Sequence, residues 1–282
     1  MTNDYIVISD FLSSEIEGGA ELNDKEIIKI LSINHSVLNI KSRNVTMDFL
    51  EKKQKENFIV SNFTQLPKQC KMFLEKKCKY IIYEHDHKYL VRRDPAKYKN
   101  FIAPEEEIIN ASFYRNAIAV MCQSNFHKSI IYKNLQIDNL HNLSGNMWSD
   151  ETLNLLEALS SKEKKDRCSV MESKTHHKNT KAAIAFCKHK NLLYDLIPHM
   201  DYHSFLNTIS DNNKLIFFPK TPETLSRVVV ECRMMGMKVT TNSLVGAAGE
   251  PWFELKGKDL ISYMKNKKNE IALKIEGNFK NV

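Results

Sequence analysis

The stretch at residues 221–242, TPETLSRVVVECRMMGMKVTTN, decides the fold together with the apolar run LIFF at residues 215–218. That run and the residues KVT at 238–240 are typical of buried parallel strands, so a crossover helix is predicted between them. Thr221 is a good N-cap, Pro222 suits the first helical position, and Gly236 can end the helix in a left-handed conformation. Ligands of open α/β sheets bind at the carboxyl ends of the strands, which makes the start of this helix a candidate site.

The same alternation of apolar runs and helical stretches extends along the chain. It predicts strands at residues 5–8, 37–40, 57–60, 80–83, 118–122, 168–171 and 191–196. It predicts helices at residues 20–31, 47–54, 67–77, 125–134, 180–189 and 202–210, and one or two basic amphipathic helices at 256–274. This pattern favours an α/β fold with doubly wound parallel sheets.

A polar segment at residues 140–167 interrupts the pattern and predicts a domain boundary. Within it, Ser149 or Asp150 is predicted to start a short amphipathic helix. A chain of 282 residues is long enough for two domains with separate cores. We therefore predict an N-terminal Rossmann-like domain at residues 1–142, a linker at 143–167 and a C-terminal Rossmann-like domain at 168–282. The C-terminal helix is a candidate to pack back on the first domain.

The net charge of +7 suits anionic partners such as nucleotides or nucleic acid, but the lysines responsible are spread over the whole chain. The six cysteines form no CxxC pair, and no metal site is predicted. No apolar run approaches the roughly 20 residues that cross a bilayer. The N-terminal residues also lack the pattern of a signal peptide, so a cytoplasmic protein is expected.

Two loops of the first half carry candidate site residues. The loop at residues 9–21 includes Gly18 and Gly19 at a helix start, where backbone amides can approach an anion; a flexible turn explains these glycines equally well. The sequence EHDH at residues 84–87 ends an apolar strand. His85 in it suits acid/base chemistry or a substrate hydrogen bond, and a structural polar loop is an equal alternative. A His-x-His pair can also bind a metal, but no third ligand is marked, so this alternative is less favoured.

In the second half, Lys174 and Lys178 lie in a predicted strand-to-helix loop, where ammonium groups and helix amides favour a phosphate. On the predicted helix, Glu223, Arg227 and Glu231 are spaced i, i+4 and i+8 and share one face. An exposed ion-pair stripe would explain that spacing. However, the helix is apolar on nearly all sides, so we expect it to be buried with partners for its carboxylates. The glutamates would lie roughly 12 Å apart along the axis, about the span between the ends of a nucleotide sugar.

The segment PETLSRVVVECRMMGMKVTTN resembles the Glu-x7-Glu segment of retaining, nucleotide-sugar-dependent glycosyltransferases of group 1, or family 4-like. These enzymes have the GT-B fold, in which two Rossmann-like domains face each other across a cleft. The resemblance implies that Glu223 contacts the donor sugar, that Glu231 contacts the ribose and that Lys174 and Lys178 hold the diphosphate. It also implies a place for His85 near the reacting sugar, for Ser226 and Arg227 in the donor site, and for Gly18 and Gly19 beside the acceptor and phosphates.

The expected activity is that of a retaining glycosyltransferase, a hexosyl- or pentosyltransferase, with a nucleotide diphosphate sugar as donor and no further cofactor. A saccharide or glycan hydroxyl is the expected acceptor, chosen by the first half of the chain. A modified nucleic-acid base as acceptor, a non-catalytic binding module for nucleotide sugars or nucleic acid, and another Rossmann-like enzyme such as an epimerase of nucleotide sugars remain alternatives.

Overall fold

The computed structural model describes residues 5–15 and 18–280. Residues 1–4, which belong to the N-terminal segment considered above, and Ile16 and Glu17 of the predicted glycine loop lie outside the described residues. By its contacts the chain divides into two units. The first comprises Met1–Gln123, Lys128–Met147 and Lys268–Val282, and the second comprises Ser124–His127 and Trp148–Lys267.

The first unit contains a parallel sheet in the order β2-β1-β3-β4-β5-β6 among the described residues. Its strands are β1 (Tyr5–Ser9), β2 (Val37–Lys41), β3 (Asn57–Val60), β4 (Lys79–Tyr83), β5 (Ala119–Cys122) and β6 (Leu140–Asn142). Its helices are α1 (Gly19–Leu31), α2 (Met47–Lys52), α3 (Lys68–Lys77), α4 (Ala111–Arg115) and α5 (Asn125–Leu135), the first residues of which group with the second unit.

Alternate residues of these strands enter two different cores, because successive side chains of a strand point to opposite faces. Ile6 and Ile8 pack with α2, α3 and α5 on one face, whereas Tyr5 and Val7 pack with α1 on the other. Phe279, near the chain's end, meets the Tyr5 ring at a centroid distance of 5.7 Å. Helices therefore cover both faces of the sheet, as the doubly wound pattern predicts.

The second unit has a parallel sheet in the order β10-β9-β7-β8 within its described part. The elements are α6 (Asp150–Ser160), β7 (Lys165–Met171), α7 (Thr180–His189), β8 (Tyr194–Ile197), α8 (Tyr202–Ile209), β9 (Asn212–Phe217), α9 (Arg227–Met234), β10 (Lys238–Thr241) and α10 (Gly257–Lys280). Helix α10 continues into the first unit, where Lys268 Nζ lies 2.8 Å from Glu26 Oε2.

The predicted strands all exist, with shifts at their ends, and the α/β class is confirmed. Two short elements, α4 and β6, were not predicted. Strand β6 lies in the polar segment, and its pairing with β5 rather than its own composition makes it a strand. None of the helices in the described ranges combines the length and the apolar character that crossing a bilayer requires.

Candidate functional site

A pocket of about 650 Å³ opens at the carboxyl ends of β7 and β8 in the second unit. The loop from β7 to α7 forms one side of it, and Thr180 fixes this loop. The Thr180 hydroxyl donates to the Met171 carbonyl over 2.7 Å and accepts from the Ser173 N–H over 3.1 Å. The lining residues are Met171, Glu172, Ser173, Lys174, Thr175, Lys178, Ile197, Pro198, His199 and Phe205.

Both lysines of the predicted clamp line this pocket. The Lys178 ammonium lies 2.8 Å from Glu223 Oε1 and 5.6 Å from the centroid of the Phe217 ring. The ion pair joins the loops that follow β7 and β9, and both side chains are only partly exposed. A cation in this position can meet an anionic group without losing its carboxylate partner.

The structure contradicts the predicted helix start and the shared face of the two glutamates. Glu223 lies in an extended segment, where its N–H donates to Leu244 O and its carbonyl accepts from Gly246 N. The helix begins only at Arg227, after Ser226 with a φ of 76°. The backbone pairing of Glu223 with the segment around Val245 outweighs the helix-capping preference of Thr221 and Pro222. The distance of Glu223 from Glu231 therefore cannot be calculated along a helix axis.

Glu231 lies on α9, is 2% exposed, and accepts three hydrogen bonds at Oε1. The donors are Trp148 Nε1 at 2.9 Å, the Tyr202 hydroxyl at 2.5 Å and Arg227 Nε at 3.3 Å. Burial and the neighbouring Glu231 charge raise the pKa of Tyr202 well above its ordinary value. The tyrosine therefore stays a neutral donor, and the predicted burial of this helix with partners for its carboxylate is confirmed at Glu231.

Arg227 packs on aromatic surface as well as pairing with Glu231. Its guanidinium carbon lies 4.5 Å from the Trp148 ring centroid. Ser226, one residue earlier, is 7% exposed, and its hydroxyl makes no hydrogen bond within the part of the chain that the structure describes. Buried polar groups are usually hydrogen-bonded, so this hydroxyl lacks a partner that most buried hydroxyls have.

His85 lies at the carboxyl end of β4 in the first unit. Its Nε2 is 3.2 Å from Asp24 Oδ1, and its Nδ1 is 2.7 Å from Gln123 Nε2. Asp24 belongs to α1, whose first residue is Gly19 and whose N-cap is Gly18, in an extended conformation. His85 is thus oriented from both ring nitrogens, and the glycines begin the helix that holds its carboxylate partner.

The remaining acids of the EHDH sequence serve a buried network. Glu84 accepts from Lys88 Nζ over 2.6 Å and from the Tyr114 hydroxyl, and Lys88 also contacts Asp86 at 3.1 Å. Burial raises the pKa of Glu84 despite the lysine. The structural interpretation of this loop therefore fits Glu84 and Lys88, whereas His85 contacts Asp24 and Gln123 instead.

Three pairs of predicted site residues lie together in the second unit: Lys174 and Lys178, Lys178 and Glu223, and Arg227 and Glu231. The other predicted site residues His85, Gly18 and Gly19 belong to the first unit. Trp148, Tyr202 and Asp24 were missed, because no local spacing links them to their partners. The pocket residue Glu172 was missed as well. No group of three or more His, Cys, Asp or Glu among the described residues is placed to hold a metal ion.

No family model matches the chain, and no curated protein matches it in sequence. Solved structures do resemble it along nearly its whole length. Sucrose-phosphate synthase from Thermosynechococcus elongatus has a TM-score of 0.64 at 10% identity and covers 99% of this chain and 98% of its own.

Two further structures show the same likeness. The UDP-forming α,α-trehalose-phosphate synthase from Burkholderia vietnamiensis has a TM-score of 0.57 at 7% identity, with 99% and 94% coverage. HepE of Anabaena, solved in complex with UDP, has a TM-score of 0.52 at 11% identity, with 100% and 98% coverage. These neighbours are GT-B glycosyltransferases, and the chain shares their fold of two parallel-sheet α/β units.

Proposed function

We propose that the protein is a glycosyltransferase that moves a sugar from a nucleoside diphosphate sugar to an acceptor hydroxyl. The observation that carries the proposal is the Lys178–Glu223 pair at the carboxyl edge of the second sheet, beside a pocket that also contains Lys174. This edge is where open α/β sheets bind ligands. The GT-B fold supports the proposal, since HepE of Anabaena has been solved with UDP and with UDP-glucose.

In the proposed complex, the diphosphate lies against the loop from β7 to α7. Lys174 and Lys178 neutralise its charge as point cations, without the bidentate geometry of an arginine. Glu223 then accepts hydrogen bonds from the donor sugar while it keeps its contact with Lys178. Ser226 and Arg227 border the sugar and phosphate, and the buried Ser226 hydroxyl is available for that contact.

Glu231 is assigned to the nucleotide ribose. Oε1 already accepts hydrogen bonds from Trp148, Tyr202 and Arg227, so the proposed contact with the ribose is made by Oε2. Tyr202 lies one helical turn before Phe205, a residue of the pocket lining, so the ribose position is continuous with the pocket.

The proposed reaction breaks the bond between the sugar C1 and the diphosphate oxygen and forms a bond from C1 to the acceptor oxygen. The leaving phosphate takes the acceptor proton on the same face of the sugar, which retains the anomeric configuration. Lys174, Lys178 and the helix amides stabilise the charge that develops on the diphosphate. His85, oriented by Asp24, lies near the reacting sugar in this proposal.

The proposed acceptor is a saccharide or glycan hydroxyl bound by the first unit. Gly18 and Gly19 let the backbone approach the acceptor and phosphate region at the start of α1. The proposal places no other cofactor in the site.

Release of nucleoside diphosphate from a panel of nucleotide sugars, with saccharide acceptors, tests the proposal. We expect turnover with at least one donor and a fall in kcat of about 100-fold in Glu223→Gln, since misplaced donors react slowly. Glu163→Gln, at an exposed position, is the matched control. Failure of every donor to bind or react would overturn the proposal, and the anomeric configuration of the product tests retention.

A further inference from the structure

Glu172 is the only carboxylate among the described residues that line the pocket. Its side chain is exposed to solvent and makes no hydrogen bond or ion pair with the described part of the chain. A carboxylate opposes the binding of a diphosphate, so it is out of place in a nucleotide pocket unless the ligand brings hydrogen-bond donors to it. In a nucleotide, these donors belong either to the base or to the ribose.

The backbone of Glu172 shows where in the pocket the residue lies. Its N–H donates to the Ile197 carbonyl over 2.8 Å, which fixes the residue between the ends of β7 and β8. Ile197, Pro198 and Phe205 form the apolar wall at this end. Such a surface suits the flat face of a nucleobase, because every base has a π-face that can stack on an aromatic ring such as that of Phe205.

The cationic part of the site lies in the other direction along the sheet edge. Lys178 contacts Phe217, at the end of β9, and β9 is on the opposite side of β7 from β8. A nucleotide therefore spans the pocket with its diphosphate toward β9 and its base toward β8. In that orientation Glu172 meets the base and stays away from the phosphates.

The four common bases differ in what they offer a carboxylate. On its Watson–Crick edge, guanine presents two adjacent donors, N1–H and the 2-amino group, which match the two oxygens of a carboxylate. Uracil presents one N–H between two carbonyl oxygens, and adenine and cytosine each present an amino group beside an acceptor nitrogen. A paired, charge-assisted contact is stronger than a single one, and its geometry is more selective.

We propose that Glu172 binds the Watson–Crick edge of guanine, so that the donor is a guanosine diphosphate sugar. This inference rests on the proposed function, because it uses the nucleotide orientation assigned there. It adds the identity of the base and the residue that selects it.

Calorimetric titration of the full chain with GDP, UDP and IDP tests the inference. IDP is informative because its base keeps N1–H but lacks the 2-amino group. We expect GDP to bind at least about tenfold more tightly than UDP, with IDP between them. In Glu172→Gln the ratio of the affinities for GDP and UDP should fall toward one, while the affinity for UDP stays at its wild-type value. Retained UDP binding also shows that the variant is folded. Glu163→Gln should keep the full preference.

If UDP binds as tightly as GDP to the wild-type protein, or if Glu172→Gln keeps the wild-type preference, the inference is overturned while the proposed function stands. If none of the three nucleotides binds, the inference is overturned, and the panel of donor sugars decides the proposed function separately.

Discussion

Trp148 donates its indole N–H to Oε1 of Glu231 over 2.9 Å, and both residues are at most 2% exposed. The two side chains come from distant parts of the sequence and meet inside the second unit. Tyr202 and Arg227 add two more donors to the same oxygen. The carboxylate is therefore held in one orientation before any ligand binds, which is the preorganisation that a binding group needs.

The first prediction concerns the charge of Glu231. Replacement with Gln removes the charged partner of Arg227. Burial lowers the pKa of Arg227, but its hydrogen bonds with Tyr202 and Glu231 keep that pKa raised. Loss of one partner of a buried pair costs about 3 kcal/mol, and we expect a loss of this size in the unfolding free energy of the second unit. Urea unfolding measures it. The exposed Glu163→Gln should change stability by less than about 0.5 kcal/mol, and equal losses in both variants would contradict the prediction.

The second prediction concerns Gly246, which lies where three segments meet. A Cβ at this position would be 2.3 Å from the Thr224 carbonyl oxygen and 2.4 Å from Ser124 Oγ. Ser124 Oγ already donates to the same Thr224 oxygen over 2.5 Å, so the segment that carries Glu223 has to move. We expect Gly246→Ala to lower the unfolding free energy by about 1–3 kcal/mol and to weaken nucleotide binding.

Gly249→Ala is the matched control for that variant, because a Cβ there meets nothing within 4 Å. Its unfolding curve and nucleotide affinity should match those of the wild-type protein. If Gly246→Ala is as stable as the wild-type protein, the prediction is contradicted, because the added Cβ is then accommodated without a loss of unfolding free energy.

The third prediction concerns the pH dependence of the first unit. Burial lowers the pKa of His87 from 6.5 to about 4. Between those pH values the unfolded chain binds a proton that the folded chain does not, so stability falls as the pH decreases through this window. The slope reaches up to about 1.4 kcal/mol per pH unit and levels off below pH 4.

Urea unfolding between pH 4 and 7 checks this window. His87→Gln should flatten the profile relative to the wild-type protein, whereas His203→Gln, at an exposed position, should leave its shape unchanged. Parallel profiles for the wild-type protein and His87→Gln would contradict the assignment.

The fold was largely predictable because both sheets consist of apolar runs separated by helices of ordinary length. Strands β1 and β3 are entirely buried, and β9 is buried over its last three residues, so apolar runs reveal all three strands. Strand β6 has only one buried residue, Leu140, and α4 has five residues, so neither leaves a clear periodic signal.

The site was predictable where its residues share a loop and not where they meet across the unit. Lys174 and Lys178 are close in sequence, and both line one pocket. The helix start was wrong because Glu223 pairs through its backbone with the segment around Val245, a contact that the sequence of the helix does not contain. Trp148 and Tyr202 could not be assigned to Glu231 for the same reason.

The most direct test of the account is the affinity of nucleoside diphosphates for Lys178→Met, measured by calorimetry beside Lys188→Met. Lys178 lies in the pocket, whereas Lys188 is exposed near the end of α7. If the pocket holds the donor diphosphate, loss of the Lys178 charge should weaken binding at least about tenfold, and Lys188→Met should bind as the wild-type protein does. Equal affinities in the two variants would contradict the assignment of this pocket to the donor.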